Sequence, residues 1–291
     1  KEDVLGYDWD GTPYYELWLF DGFFPKEIIV DESNTTFRVI NDLLINIVNN
    51  EVALSESGLD DIVIPDGIQS IAYGAFINHS IKSVKFPSSL KTIGSGAFEN
   101  CENLTSIVLP EGVTQLMSDA FSMCTALSNV ELPETLEKIG EYAFYECAIE
   151  SIQVPNSVVE IDRSAFHGCQ QLKEVYLPAR LKKIGSSTFG GCTQLVQIDW
   201  PDALETIGDQ AFADCYSLRR VILPDTLQQI GDRSFWGCDL SLLRIPPKLA
   251  FLWESGDSRG YILNPHSKQD KTFEFGSVET VILSGSDYDF G

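Results

Sequence analysis

From Leu59 onward the apolar positions follow a compound pattern: L-x-x-I-x-L-P, a gap, L-x-x-I-G, a second gap, then A-F-x-x-C. The stretch from Cys101 to Cys124, CENLTSIVLPEGVTQLMSDAFSMC, carries it in full. In LTSIVLP the spacing points Leu104, Ile107 and Leu109 inward, while Ser106 and Val108 alternate outward as a short strand requires. Pro110 has no N–H to donate and ends the ladder. Val113 and Leu116 point inward again. At the next slot Gly94, Gly140, Gly185, Gly208 and Gly231 predict a backbone that needs positive φ or a close approach. The pair Ala97-Phe98 predicts a short helical or 3₁₀ turn whose Phe fills the coil, with Cys101 closing it.

The pattern recurs at a fixed period. Prolines fall at 65, 87, 110, 133, 155, 178, 201, 224 and 246, in steps of 22 or 23. Phe76, Phe98, Phe121, Phe144, Phe166, Phe189, Phe212 and Phe235 follow eleven residues behind, and Cys101, Cys124, Cys147, Cys169, Cys192, Cys215 and Cys238 three residues further on, with His79 in that slot of the first unit. Such a unit cannot bury its apolar face alone, so the units must stack, each against its neighbours. The Phe and Cys positions are then the structural ladders of the interior.

The repeat unit L-x-x-I-x-L-P-x-x-L-x-x-I-G-x-x-A-F-x-x-C resembles the BspA-type leucine-rich repeat over about Leu59 to Leu252. The expected fold is a leucine-rich-repeat solenoid of the horseshoe type, mostly β. Its right-handed coils of 22–23 residues carry a parallel sheet on one face and one-turn helical or 3₁₀ segments at the A-F positions. Ten or eleven strands at ~4.8 Å would give a sheet roughly 45–50 Å long. The resemblance implies surface proteins of gut and oral bacteria and of some mucosal protists, which bind host or neighbouring-cell components.

Three parts of one continuous domain are expected. Residues 1–58 form an N-terminal cap with a partial repeat and an inserted strand-turn segment, 59–252 the regular array, and 253–291 an irregular C-terminal segment with a last strand at Val278–Leu283. The cap is acidic and aromatic, as in YDWDGTPYYELWLFDGFF, and such atypical terminal units cover the open end of a solenoid. EIIV at Glu27–Val30 reads as the first strand. Phe37–Leu43 is similar to the F-x-V-x-D-x-L stretch of a hairpin-like insertion in BspA-like proteins.

Charge and cysteine content narrow the function. With 43 acidic and 20 basic residues the formal charge is −23, which opposes nucleic acid and anionic membrane surfaces as partners. No apolar run reaches the ~20 residues of a membrane span. The chain opens at Lys1 without Met, consistent with a removed secretory signal or with a cloning boundary. Seven cysteines, an odd number in one inward slot, read as a stack of free thiols acting as small hydrophobes rather than a disulfide framework.

Catalytic signals are weak. Asp8-Trp9-Asp10-Gly11-Thr12 resembles the D-x-D-G-T nucleophile motif of haloacid-dehalogenase-type phosphatases, but a repeat array follows where that fold needs alternating strands and helices. It is read as an acidic turn beside the cap. A calcium site on Asp8 and Asp10 lacks the third ligand and the closing Glu of the usual loop. His167, two residues before Cys169, would need an exposed, activated thiol to form a nucleophilic pair. No C-x-x-C, P-loop, dinucleotide fingerprint or H-E-x-x-H occurs. Neither cofactor nor metal is expected, and no catalytic residue is assigned. Three N-x-[ST] sequons, at Asn34, Asn78 and Asn103, are read as chance in an Asn- and Ser-rich repeat.

The outward strand positions are the candidates for function, because extended repeat surfaces are what solenoids bind with. Val108, Tyr176, Ile222 and Leu242 put apolar or aromatic groups where solvent is expected, with Arg220 and Arg244 among them. The expectation is a non-catalytic, monomeric, extracellular or cell-surface binding module. It would recognise protein or glycan on host or neighbouring cells through this face or the N-terminal cap. A structural spacer within a larger surface protein is the alternative, and an enzyme the weakest one.

Overall fold

The computed structural model describes residues 6–7, 13–14, 24–246, 249 and 280–283. The chain divides into two compact units, Lys1–Ile149 and Glu150–Gly291. In the first, β1 (Gly6–Tyr7) pairs antiparallel with β2 (Pro13–Tyr14). The antiparallel run β3 (Phe37–Ile40), β4 (Leu43–Asn46) and β5 (Glu51–Ser55) then leads into the repeats. The coils contribute β6 (Asp61–Val63), β7 (Ser70–Ile71), β8 (Ser83–Lys85), β9 (Thr92–Ile93), β10 (Ser106–Val108), β11 (Gln115–Leu116), β12 (Asn129–Glu131) and β13 (Lys138–Ile139). In the second unit follow β14 (Ser151–Gln153), β15 (Glu160–Ile161), β16 (Glu174–Tyr176), β17 (Lys183–Ile184), β18 (Gln197–Asp199), β19 (Thr206–Ile207), β20 (Arg220–Ile222), β21 (Gln229–Ile230), β22 (Leu242–Ile245) and β23 (Thr280–Leu283).

Each coil therefore carries two strands, one before the proline and one at the x-I position. The two sets pair differently. In the first unit the two-residue strands run unbroken and continue the antiparallel run, in the order β3-β4-β5-β7-β9-β11-β13, whereas the three-residue strands pair only as β6–β8 and β10–β12. In the second, β15, β17, β19 and β21 are continuous, while the longer strands form β14-β16-β18 and β20-β22-β23. The single ladder expected from L-x-x-I-x-L is thus divided, and the continuous ladder is the short one. Both are parallel and in register, as in Ser106↔Asn129 and Leu116↔Ile139.

The interior is a column of rings. In the first unit Phe76, Phe98, Phe121 and Phe144 are fully buried and stack face to face at 4.9, 5.2 and 5.7 Å between centroids, with planes within 8°. In the second unit Phe166, Phe189, Phe212 and Phe235 repeat this at 5.5, 5.4 and 5.3 Å. These spacings are those of favourable aromatic pairs. The residue before the proline packs beside the column: Phe86 lies edge-on to Phe98 at 5.8 Å and Trp200 edge-on to Phe212 at 5.3 Å.

The A-F segments are turns, and the helical or 3₁₀ character expected of them is not formed. Their N–H groups alternate between partners. Ala97, Glu99 and Cys101 donate to the carbonyl three residues back, at 3.2, 3.0 and 3.3 Å, whereas Gly96, Phe98 and Asn100 donate across to Ser118, Ala120 and Ser122 of the next coil at 2.9, 2.9 and 2.8 Å. A helix would keep every donor within the segment. Two left-handed residues per coil, for instance Asp119 (φ 56°) and Met123 (φ 58°), turn every second peptide outward to make the crossing bonds.

The glycine after the second strand is explained by close approach rather than by φ. A Cβ on Gly94 would lie 2.7 Å from the carbonyl oxygen of Ile71, and one on Gly140 equally close to that of Leu116. Each of those carbonyls accepts the N–H of the same glycine at 2.9 Å.

The N-terminal edge also departs from expectation. Glu27–Val30 is not a strand. Ile28 N–H is bound by Oε1 of Glu56 at 2.8 Å, and Ile29 is 82% exposed. The sheet starts instead at β3, joined to β4 by an Asn41-Asp42 turn with φ of 54° and 62°, the left-handed pair that suits a two-residue hairpin. At the other end Thr280–Leu283 pairs parallel with β22. Trp253 and the polar stretch 254–271 lie outside the described residues.

Candidate binding faces

Side chains that alternate outward on the longer strands form the solvent face of each unit. The six candidates are divided between the two units. Val108, 57% exposed, belongs to the first unit, and the other five to the second. Four of those five are brought together by the β20–β22 register, in which Arg220 faces Leu242 and Ile222 faces Arg244. The result is a checkerboard of two guanidinium and two aliphatic side chains, with Ile222 47% exposed and Leu242 half-buried.

The two arginines differ. Arg244 is held, its Nη1 donating to the carbonyl of Leu223 at 3.1 Å and its Nη2 to Oδ1 of Asp225 at 2.9 Å. Arg220 is exposed, and its side chain forms no hydrogen bond or ion pair among the described residues. Tyr176 stands opposite Asp199 on the β16–β18 pair. Its hydroxyl donates to Oε2 of Glu174 at 2.8 Å, and that bond together with the Glu174 charge pushes the phenol pKa up.

The turn side of the first unit holds titratable groups that belong to no sequence motif. Burial and then the charge of Asp119 raise the carboxyl pKa of Glu99, and burial and then Glu141 raise that of Asp119. The rings of Tyr142 and Tyr145 stand at 83° and 5.6 Å. The only sequence signal for this cluster is that acidic and aromatic residues fall in the turn slots of consecutive coils. At the N-terminal edge an open cleft is lined by residues 28–32 with Arg38 and Val39.

The thiols are not a reaction centre. All seven cysteines are free, six are buried and Cys238 is half-buried. In the first unit Cys101, Cys124 and Cys147 each donate Sγ–H to a Phe carbonyl of the preceding coil at 3.1 Å. Cys192, Cys215 and Cys238 do the same at 3.1–3.3 Å in the second. The slot thus asks for a small apolar side chain with a donor, which spacing alone did not reveal. A hydrogen bond with Cys101 and burial push the Cys124 thiol well up, and burial does so for Cys192 and Cys215, so these groups stay protonated. Cys169 is buried, so the H-G-C stretch holds no exposed nucleophile. The Asp8–Thr12 motif and His266 lie outside the described residues. Among the described residues no group of three or more His, Cys, Asp or Glu side chains could hold a metal ion, and no helix is long and apolar enough to cross a membrane.

Stacked parallel coils with an interior Phe column and an outward ladder of mixed side chains define a repeat solenoid, a class that presents surface rather than enclosing a pocket. The chain belongs to the BspA type leucine-rich repeat family: the family pattern matches in six copies over residues 49–164 and 137–255. It is similar to a leucine-rich repeat protein from Bacteroides ovatus, with 30% identity and a TM-score of 0.67 over 76% of this chain and 59% of that one. The chain therefore spans about three-fifths of that protein's length. A Treponema pallidum leucine-rich repeat protein shares the fold at 23% identity and a TM-score of 0.50, over 72% of this chain and 89% of that one. No curated protein matches the chain. Repeats of this type are in general non-catalytic binding scaffolds.

Proposed function

We propose that the chain is a surface-located binding module that recognises a protein or glycan partner through the outward strand face of its second unit. The observation that carries this reading is the β20–β22 register. It sets an exposed arginine, whose side chain has no partner among the described residues, beside exposed and half-buried aliphatic side chains, and arginine is enriched among the residues that anchor interfaces. Tyr176 extends the set on the neighbouring longer-strand sheet of that unit. Val108 is a further candidate, in the first unit.

The test is binding of the chain to immobilised extracellular-matrix proteins and mucin. Truncation of interface anchors typically costs more than ~1 kcal/mol, about a fivefold loss of affinity. A Tyr176→Ala/Ile222→Ala variant with unchanged folding should therefore bind at least about fivefold more weakly. Unchanged affinity removes the sheet face. Absence of binding by the parent chain favours a spacer role.

A further inference from the structure

His79 occupies the slot held by cysteine in every later coil, at the end of the array that meets the N-terminal hairpin. Its side chain is buried, edge-on to Phe24 at 4.0 Å and to Phe76 at 6.1 Å. Nε2 lies 3.1 Å from Oγ of Ser55, the last residue of β5 and itself fully buried. One imidazole thus touches three pieces of chain: the segment at Phe24, the hairpin and the first coil. Among the described residues the ionisable groups on those pieces point elsewhere. Glu56 binds the N–H of Ile28, Glu51 accepts from Ser70, Lys26 and Glu27 are exposed, and Lys82 and Asp60 pair with each other in solvent. The next coil contributes the buried Cys101 thiol, which is bound to the carbonyl of Phe76. Among the described residues no carboxylate is hydrogen-bonded or ion-paired to the ring.

We infer that His79 is a proton-operated latch: neutral, it holds the hairpin and the Phe24 segment on the first coil, and protonated it releases them. An imidazolium has two N–H donors. Ser55 can accept from one, which leaves the other, with a full charge, among apolar rings. Burial accordingly pushes the imidazole pKa down from 6.5 to about 4, while the released form keeps the ordinary value. A neutral-when-closed histidine contributes stability above its released pKa, and that stability is lost as pH falls from about 6.5 towards 4. For those two values the opening constant at pH 5 is roughly thirty times that at pH 8. Release uncovers the first coil, including Phe76 and the β5-facing edge of β7.

The experiment is amide hydrogen exchange of the whole chain at pH 8, 6 and 5, corrected for intrinsic rates, on the parent and on His79→Cys, the residue native to this slot elsewhere. In the parent, amides of β4 and β5 should show an opening constant that rises about thirtyfold by pH 5 while those of β11 and β13 stay unchanged; in His79→Cys the rise should vanish. A flat profile in the parent, an equal rise in the variant, or an equal loss of protection at β11 and β13 would each overturn the latch. Should His79→Cys not fold, His79→Gln, whose amide can still meet Ser55, is scored by the same criteria.

Discussion

Phe121 is the position where the ring column can be tested most directly. It is fully buried, with Phe98 at 5.2 Å on one side and Phe144 at 5.7 Å on the other. Phe121→Ala removes the transferred ring and leaves a cavity that the parallel coils cannot close, because each coil is fixed by backbone bonds to its neighbours. Buried Phe→Ala substitutions cost about 3–5 kcal/mol. Loss of two ring–ring contacts, each worth ~0.5–1.5 kcal/mol, places this one near the upper end. A loss of that size is a third or more of the about 5–15 kcal/mol that holds a typical domain folded. The sharper readout is coupling. Phe98 and Phe121 touch, so the double-mutant cycle in urea, read by circular dichroism, should give ~0.5–1.5 kcal/mol of interaction. Phe98 and Phe144 are separated by a coil and should add to within about 0.5 kcal/mol. Equal couplings for the two pairs would refute a column built from nearest-neighbour contacts.

Two further outcomes follow from the interior and the turn side. Titration with a thiol reagent should return seven free thiols after unfolding. In the native protein the half-buried Cys238 should react before the six buried ones, and a total of five or fewer would mean that bridges exist. Asp119→Asn keeps the acceptor for Ser122 and suits the left-handed φ of 56°, while removing a carboxylate whose pKa is raised by burial and by Glu141. Because the folded pKa is raised, ionisation costs stability as pH rises through it. The substitution should therefore raise the thermal midpoint at pH 7 and leave it unchanged at pH 3, as a calorimetric pair would show; a gain at both pH values would place the effect in the backbone instead.

Periodicity made the coil legible before any coordinates. Phe and Cys recur every 22–23 residues, and side chains at one phase of a stacked repeat must meet, whatever the backbone between them does. Val108, Arg220, Ile222 and Arg244 could likewise be placed outward from alternation alone. That argument is silent on which of them share a surface, and the β20–β22 register brings Arg220, Ile222 and Arg244 together.

What the tertiary structure decided lies in the hydrogen bonds between coils. An A-F segment read alone offers its donors to carbonyls three or four residues back, and predicts a helical turn. In the stack, carbonyls of the next coil are equally near, so every second N–H crosses over and two residues per coil adopt left-handed φ. Only in the stack, too, do the short strands rather than the longer ones form the unbroken ladder. Gly94 and Gly140 are needed for close approach to a carbonyl at the same phase of the preceding coil, a neighbour that exists only once the coils stack. A residue's own pattern specifies which side it buries. Its backbone partner depends on another part of the chain, which becomes a neighbour only on folding.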